Sequence, residues 1–195
     1  MTTSRKIRPS ALRLVATGLA GLLVLAASGC ATLSEGECLT ADWYEIGQQD
    51  GRSGHERSRL HDHRKACAKH AVTPDENAYF AGRDDGLRLY CTPERGFEEG
   101  LEGRSYRGVC APERERGFLA EHRKGLMLYE AGQAIAAVES DIARKEALLK
   151  DEDTGRKQAR ELQRELDELY RQLRMLNRDL IDLERRFLSP ARGGW

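Results

Sequence analysis

Eight apolar residues near the C-terminus recur at spacings of four, three, four, three: Leu162, Leu166, Leu169, Leu173, Leu176, Leu180, Leu183 and Phe187. On an α-helix that heptad spacing gathers them into one stripe, which must be covered by another helix. Upstream, Leu128, Ala131, Ile135, Val138, Ile142 and Leu149 keep the same repeat, broken only by Lys145. The two registers do not join. Carried onward, the first would put Arg156 and Gln163 into the stripe. The slip falls at Asp151-Glu152-Asp153-Thr154-Gly155, which is also the poorest helical stretch in the region. This predicts two arms, about 117–150 and 156–188, each ~50 Å long at ~1.5 Å per residue. A short turn would join them as an antiparallel coiled-coil helical hairpin. The competing arrangement is one continuous helix in a parallel dimer. Gly155 speaks against it, since glycine costs a helix interior up to ~1 kcal/mol but suits a helix end. Ser189-Pro190 stops the second arm, and 189–195 reads as a tail.

Between 38 and 116 the pattern changes. Tyr44-x2-Gly47-x2-Asp50-Gly51 recurs as Tyr79-x2-Gly82-x2-Asp85-Gly86, and more loosely as Phe97-x2-Gly100-x2-Gly103. A second repeat overlaps it: Cys91-Thr92-Pro93-Glu94-Arg95-Gly96-Phe97 against Cys110-Ala111-Pro112-Glu113-Arg114, with Gly117-Phe118 two residues late. On a helix, Gly47, Gly51 and Gly54 share a face, and a glycine stripe there calls for close approach of another backbone. The expected domain is therefore a set of stacked, similar short helices, with rings packed on glycine. Asp42 is placed to cap one helix. Thr73-Pro74-Asp75-Glu76 reads as a second start, with Thr73 as cap and Pro74 at the first position. Glu56 to His70 forms a further helical segment. The fold class is mostly α: a small, disulfide-braced, glycine-rich helical domain (38–116), then the hairpin (117–188).

The N-terminus sets the compartment. Arg5, Lys6, Arg8 and Arg13 precede an uncharged run from Leu14 to Ala27, shorter than the ~20 residues that cross a bilayer. Basic start, short apolar run and small residues make an export signal. Leu25-Ala26-Ala27-Ser28-Gly29-Cys30 resembles a bacterial lipoprotein signal, departing from it at Ala27, where leucine is commoner. The resemblance implies removal of 1–29, acylation of Cys30 and a tether over 30–37. Ala31, in place of an aspartate, implies the outer membrane, facing the periplasm. The plain alternative is an ordinary signal peptide cut near Ala27 or Gly29. The signal takes four of the 32 basic residues and none of the 32 acidic ones, leaving a net charge of −4. That speaks against nucleic acid as a partner, whose footprint is a clustered basic excess. Without Cys30, four of the five cysteines remain: Cys38, Cys67, Cys91 and Cys110. In an exported chain they read as two disulfides, with three possible pairings. The shorter loops favour Cys38–Cys67 and Cys91–Cys110, although an intervening helix would strain the second.

Candidate sites are few. His63, Cys67 and His70 fall at i, i+4 and i+7, a helix face that could bind zinc or copper if Cys67 were a free thiolate. Trp43, Tyr44, Tyr79, Phe97 and Tyr106 could line a groove for a glycan such as peptidoglycan. Asp50 and Asp85 could act as paired carboxylates, but they are better explained as polar residues flanking the glycines. There is no Gly-x-Ser-x-Gly, no phosphate loop and no His-Glu-x2-His. No catalytic residue and no cofactor is expected. The expected protein is a non-enzymatic binding or scaffolding protein, on the membrane through its lipid. Its partner would be another envelope protein or peptidoglycan.

Seven elements of the sequence carry a resemblance: Cys38-x3-Asp42-Trp43, Gly47-x2-Asp50-Gly51, His63-x3-Cys67, Pro74-Asp75, Tyr79-x2-Gly82-x3-Gly86-Leu87, Tyr90-Cys91 and Tyr106-x3-Cys110. Together they are similar to a bacterial lipoprotein family, one of the domain-of-unknown-function families of Gram-negative envelopes. The similarity runs from roughly Cys38 to Leu128. It implies the compartment and implies nothing about chemistry, since that family has no established activity.

Overall fold

The computed structural model describes residues 32–188, and among them lie seven helices and no strand. They are α1 (Glu35–Leu39), α2 (Trp43–Arg52), α3 (Arg59–Ala68), α4 (Glu76–Tyr90), α5 (Pro93–Leu101), α6 (Pro112–Leu149) and α7 (Arg156–Leu188). The expected export signal, Cys30 and the expected tail 189–195 lie outside the described residues.

The chain divides into two compact units. The first holds 32–41 and 61–73. Here Ser34 and Glu37 cap α1 reciprocally: the Glu37 carboxylate accepts from the Ser34 backbone at 2.7 Å, and the Ser34 hydroxyl accepts from the Glu37 backbone at 3.3 Å. The expected tether thus carries a helix from Glu35 onward. Cys38 and Cys67 are fully buried and joined, with Cα atoms 5.4 Å apart.

The second unit holds 42–60 and 74–188. Three side chains cap its helices: Asp42 on α2, Asp75 on α4 and Thr92 on α5. The expected start at Thr73 is therefore two residues early. The Asp75 carboxylate accepts from the Ala78 backbone at 3.0 Å and sets the first turn itself.

α2 and α4 pack through their glycines, and the contacts are reciprocal. A Cβ on Gly47 would lie 2.0 Å from the Tyr79 carbonyl oxygen, and one on Gly82 would lie 1.9 Å from that of Tyr44. One turn on, Gly51 faces the Arg83 carbonyl at 2.2 Å, and Gly86 faces that of Gln48 at 2.1 Å. The polar ends of the motif are exchanged in the same way. The Tyr79 hydroxyl donates to Asp50 at 2.6 Å, and the Tyr44 hydroxyl donates to Asp85. Each Tyr-x2-Gly-x2-Asp-Gly thus binds its own copy, its tyrosine reaching the other copy's aspartate.

The third copy belongs to a second helix pair, α5 with α6, and its alignment differs from the one read in sequence. Gly96 meets the Phe118 carbonyl as Gly47 meets that of Tyr79, and Gly100 meets the His122 carbonyl as Gly51 meets that of Arg83. Gly125 meets Phe97 as Gly86 meets Gln48. The turn after the first helix of each pair is also the same. Gly54 and Gly103 sit at φ of +62° and +69°, where any other residue would be strained. Each lies beneath a tyrosine ring, Tyr90 and Tyr129 respectively. The next backbone N–H bonds back to Asp50 in one pair and Glu99 in the other. Even the buried polar groups correspond. Arg83 donates to the His55 carbonyl at 2.6 Å, and His122 Nε2 donates to the Arg104 carbonyl at 2.7 Å. The repeating element is thus a helix pair, where the sequence suggested single short helices.

Phe118 is fully buried between Tyr90 and Tyr106, with ring centroids 5.1 and 5.0 Å away, beside the Cys91–Cys110 disulfide. Pro93 and Pro112 both begin helices, so the overlapping Cys-x-Pro-Glu-Arg repeat marks the starts of α5 and α6. α6 then continues through 38 residues, and the expected boundary at 117 falls inside it. Val138, Ile142 and Leu166 form a buried cluster with Leu149, Leu169, Leu173 and Leu176 packed against it. Lys145, the break in the heptad, is half-buried and pairs with Glu165 on α7. α6 stops at Leu149 and α7 starts at Arg156, with Thr154 donating to the Leu148 carbonyl at 2.6 Å in between. No helix among the described residues is long and apolar enough to cross a membrane.

Candidate functional site

Three segments of the second unit enclose a cleft of about 450 Å³: the turn after α2, the C-terminal half of α4, and the α5–α6 connection with the start of α6. Arg57, Arg83, Arg88, Arg107 and Arg114 line it, against two acids, Glu56 and Asp84. Leu87, Val109 and the two disulfide cysteines Cys91 and Cys110 complete the wall.

Most of these guanidiniums are held by uncharged groups. Arg83 is buried on the glycine-packed face of α4, and its Nε and Nη2 both donate to the His55 carbonyl, at 3.1 and 2.6 Å. Burial lowers its pKa. Arg107 Nη1 donates to His55 Nδ1 at 3.0 Å, which makes that nitrogen the acceptor. Arg114 Nη1 donates to the Arg88 carbonyl at 2.8 Å. Arg57 lies 4.0 Å over the centre of the Phe80 ring. Only Arg88 pairs with a carboxylate, that of Asp85. A carbonyl, an imidazole nitrogen or a ring orients a guanidinium without cancelling its charge. The cleft is therefore preset to attract anions, although the mature chain is expected to be net acidic.

Behind it, near Tyr90, the electrostatics are closed. Burial works to raise the Glu99 carboxyl, but Arg104 and Arg95 outweigh it and hold the group below its ordinary value. Arg104 reaches Glu99 with two bonds, at 2.8 and 3.0 Å. Burial, then the Glu99 charge, pushes the Tyr90 hydroxyl up to about 12. Burial and the bond to Asp50 likewise push Tyr79 far above the usual tyrosine value, so both remain protonated donors.

The residues singled out from sequence lie elsewhere. Cys67 is in a disulfide, so the His63–Cys67–His70 metal face has lost its thiolate. His63 is buried 2.8 Å from the Thr32 hydroxyl, and His70 lies 3.8 Å from Glu35. Among the described residues no three His, Cys, Asp or Glu side chains gather as metal ligands. The five aromatics do not form one groove. Tyr79 is wholly buried and Trp43 nearly so, both inside the helix packing. Tyr44 is bonded to Asp85, and the Tyr106 hydroxyl donates to Glu115 while accepting from the Cys110 backbone. Phe97 lines a separate shallow pocket with Phe187. Asp50 and Asp85 are not a carboxylate pair, since each answers a different tyrosine. The arginine cleft was missed because its arginines come from three separated segments and form no run. The only local hint was the density of arginine around the glycine motifs.

Residues 42–127 match the model of a family described as protein of unknown function (DUF2799). The matched segment spans under half of the chain and contains both glycine-packed helix pairs up to the middle of α6. No curated protein and no solved structure matches.

Proposed function

We propose that this is a lipid-anchored envelope protein, held to the outer membrane on its periplasmic side, that works by binding and scaffolding rather than by catalysis. In this reading α6 and α7 form an antiparallel coiled-coil hairpin that projects from the helix pairs. The supporting observation is that α6 serves both parts. Its first half, through Phe118, His122 and Gly125, packs on α5, while its second half, through Val138 and Ile142, packs with α7. A helix shared in this way transmits orientation from a tethered domain to an arm about 40–50 Å long at ~1.5 Å per residue, which is what a spacer or scaffold needs.

The anchor rests on the sequence, on Ser28-Gly29-Cys30 after a short apolar run. Acyl chains on Cys30 would hold the protein stably, since each buried methylene contributes ~0.8 kcal/mol. Cys30→Ser is expected to leave an uncleaved precursor or a form released by a high-salt wash, while the unaltered chain stays with the membrane fraction. Normal processing and continued membrane partition of Cys30→Ser would show the anchor to be wrong.

A further inference from the structure

The geometry points to a phosphate-binding site in the arginine cleft: a receptor for a phosphomonoester or diphosphate group, formed where the α5–α6 connection meets α4. This rests on the cleft alone and not on the anchor or the arm.

Three observations carry it. First, positive charge is concentrated and only partly compensated. Five arginines line the cleft against Glu56 and Asp84, and adding Asp85, the partner of Arg88, still leaves the positive charges in excess. Second, two guanidiniums converge on one residue. Arg83 holds the His55 carbonyl and Arg107 holds the His55 ring, so the α4 arginine and the loop arginine are fixed at a common point. Arg83 is buried and spends its Nε–Nη2 edge there, so it contributes charge, whereas Arg107, held through Nη1 alone, keeps Nε and Nη2 for the paired N–H···O bonds that phosphate oxygens accept, with little further ordering on binding. Third, the cleft has room for a ligand. Its volume of about 450 Å³ falls in the range of small-ligand sites, roughly 300–1,000 Å³, and suits a headgroup-sized molecule. The comparable carbonyl in the second helix pair, that of Arg104, is taken by His122 instead of an arginine. The duplicated frame therefore admits an imidazole where Arg83 stands, so the guanidinium adds a positive charge to the cleft lining that the packing alone does not need.

The Cys91–Cys110 disulfide is part of the wall and fixes the segment that carries Arg107 to the end of α4. A multiply charged oxyanion is preferred to a single carboxylate because several guanidiniums remain to be matched.

The test is titration calorimetry of the full chain with inorganic pyrophosphate at low salt. It is done in a Cys30→Ser background so that no lipid contributes. Saturable one-site binding is expected. Arg107→Gln and Arg57→Gln should each weaken it roughly tenfold or more, the scale of one lost charge-assisted hydrogen bond. Arg174→Gln, an exposed arginine on α7, should change it less than about twofold, because a screened distant charge contributes little. Melting curves without ligand control for folding, and Arg57→Gln, whose only described contact is the Phe80 ring, guards against loss of the Arg107–His55 contact. Absence of saturable binding overturns the proposal. So does an equal loss in Arg174→Gln, or succinate binding as tightly as pyrophosphate. Co-sedimentation with phosphatidylglycerol vesicles then separates the sources. Arg107-dependent pelleting assigns a lipid headgroup, and pyrophosphate binding without it assigns a soluble phosphate ester.

Discussion

Gly82→Ala should cost about 2–4 kcal/mol of stability, while the same change at Gly132 should gain up to ~1 kcal/mol. Both glycines are helical, and in a helix with open space alanine is the better residue. Gly132 has that space, with nothing within 4 Å of a built Cβ. Gly82 does not, since its Cβ would fall 1.9 Å from the Tyr44 carbonyl oxygen and 3.0 Å from the Gln48 backbone nitrogen. Backbone cannot rotate aside as a long side chain can, so α2 and α4 must separate. Separation also pulls Tyr44 from Asp85 and Tyr79 from Asp50, because the contacts are reciprocal. Urea unfolding of the two variants beside the unaltered chain measures the difference. Equal stabilities would mean that the helices do not rely on glycine for their approach.

Removing either disulfide should bring the compact unit it braces much closer to unfolding. Loop-closure entropy assigns each bridge about 3 kcal/mol, for sequence separations of 19 and 29 residues. Each bridge closes a loop in its own compact unit, and a loss of that size is a large share of the ~5–15 kcal/mol total of an ordinary domain. The double variant Cys91→Ala, Cys110→Ala should unfold its helix pairs at a lower temperature, since those cysteines pack against Phe118 and Tyr90. Reductant should lower the transition of the unaltered protein further than either single-bridge variant. A melting curve insensitive to reductant would show that the bridges are incidental to the fold.

How much of this was legible in the sequence depended on how local the signal was. The α7 stripe was plain because one periodic helix face carries it, and every member from Leu162 to Phe187 is buried or half-buried. The break near Gly155 was plain for the same reason, as a lost register. Lys145 looked like a defect, because the ion pair that offsets it comes from Glu165 on another helix. The disulfide partners followed from loop length. The glycine motif announced close packing but not its partner, since Tyr44 and Asp50 each find their match on the other copy. The third copy misled because the eye aligns Phe97 with Tyr44, whereas backbone contact aligns Gly96 with Gly47. The aromatic groove failed because packing on glycine consumes the rings. The arginine cleft was not legible, because Arg57, Arg83 and Arg107 meet only through folding, and net composition pointed the other way.

The hairpin and the scaffold role both require the long helices to fold back within one chain. Spin labels at Glu121 and Arg186, with labelled protein diluted in an excess of unlabelled protein, measure this by pulsed dipolar spectroscopy. Glu121 and Phe187 line one pocket, and neighbouring helix axes lie ~8–10 Å apart, so a hairpin predicts a label separation of roughly 20 Å that survives dilution. A continuous helix would place the two sites on the order of 100 Å apart at ~1.5 Å per residue. That distance, or a short distance that disappears on dilution, would contradict the hairpin and the scaffold built on it.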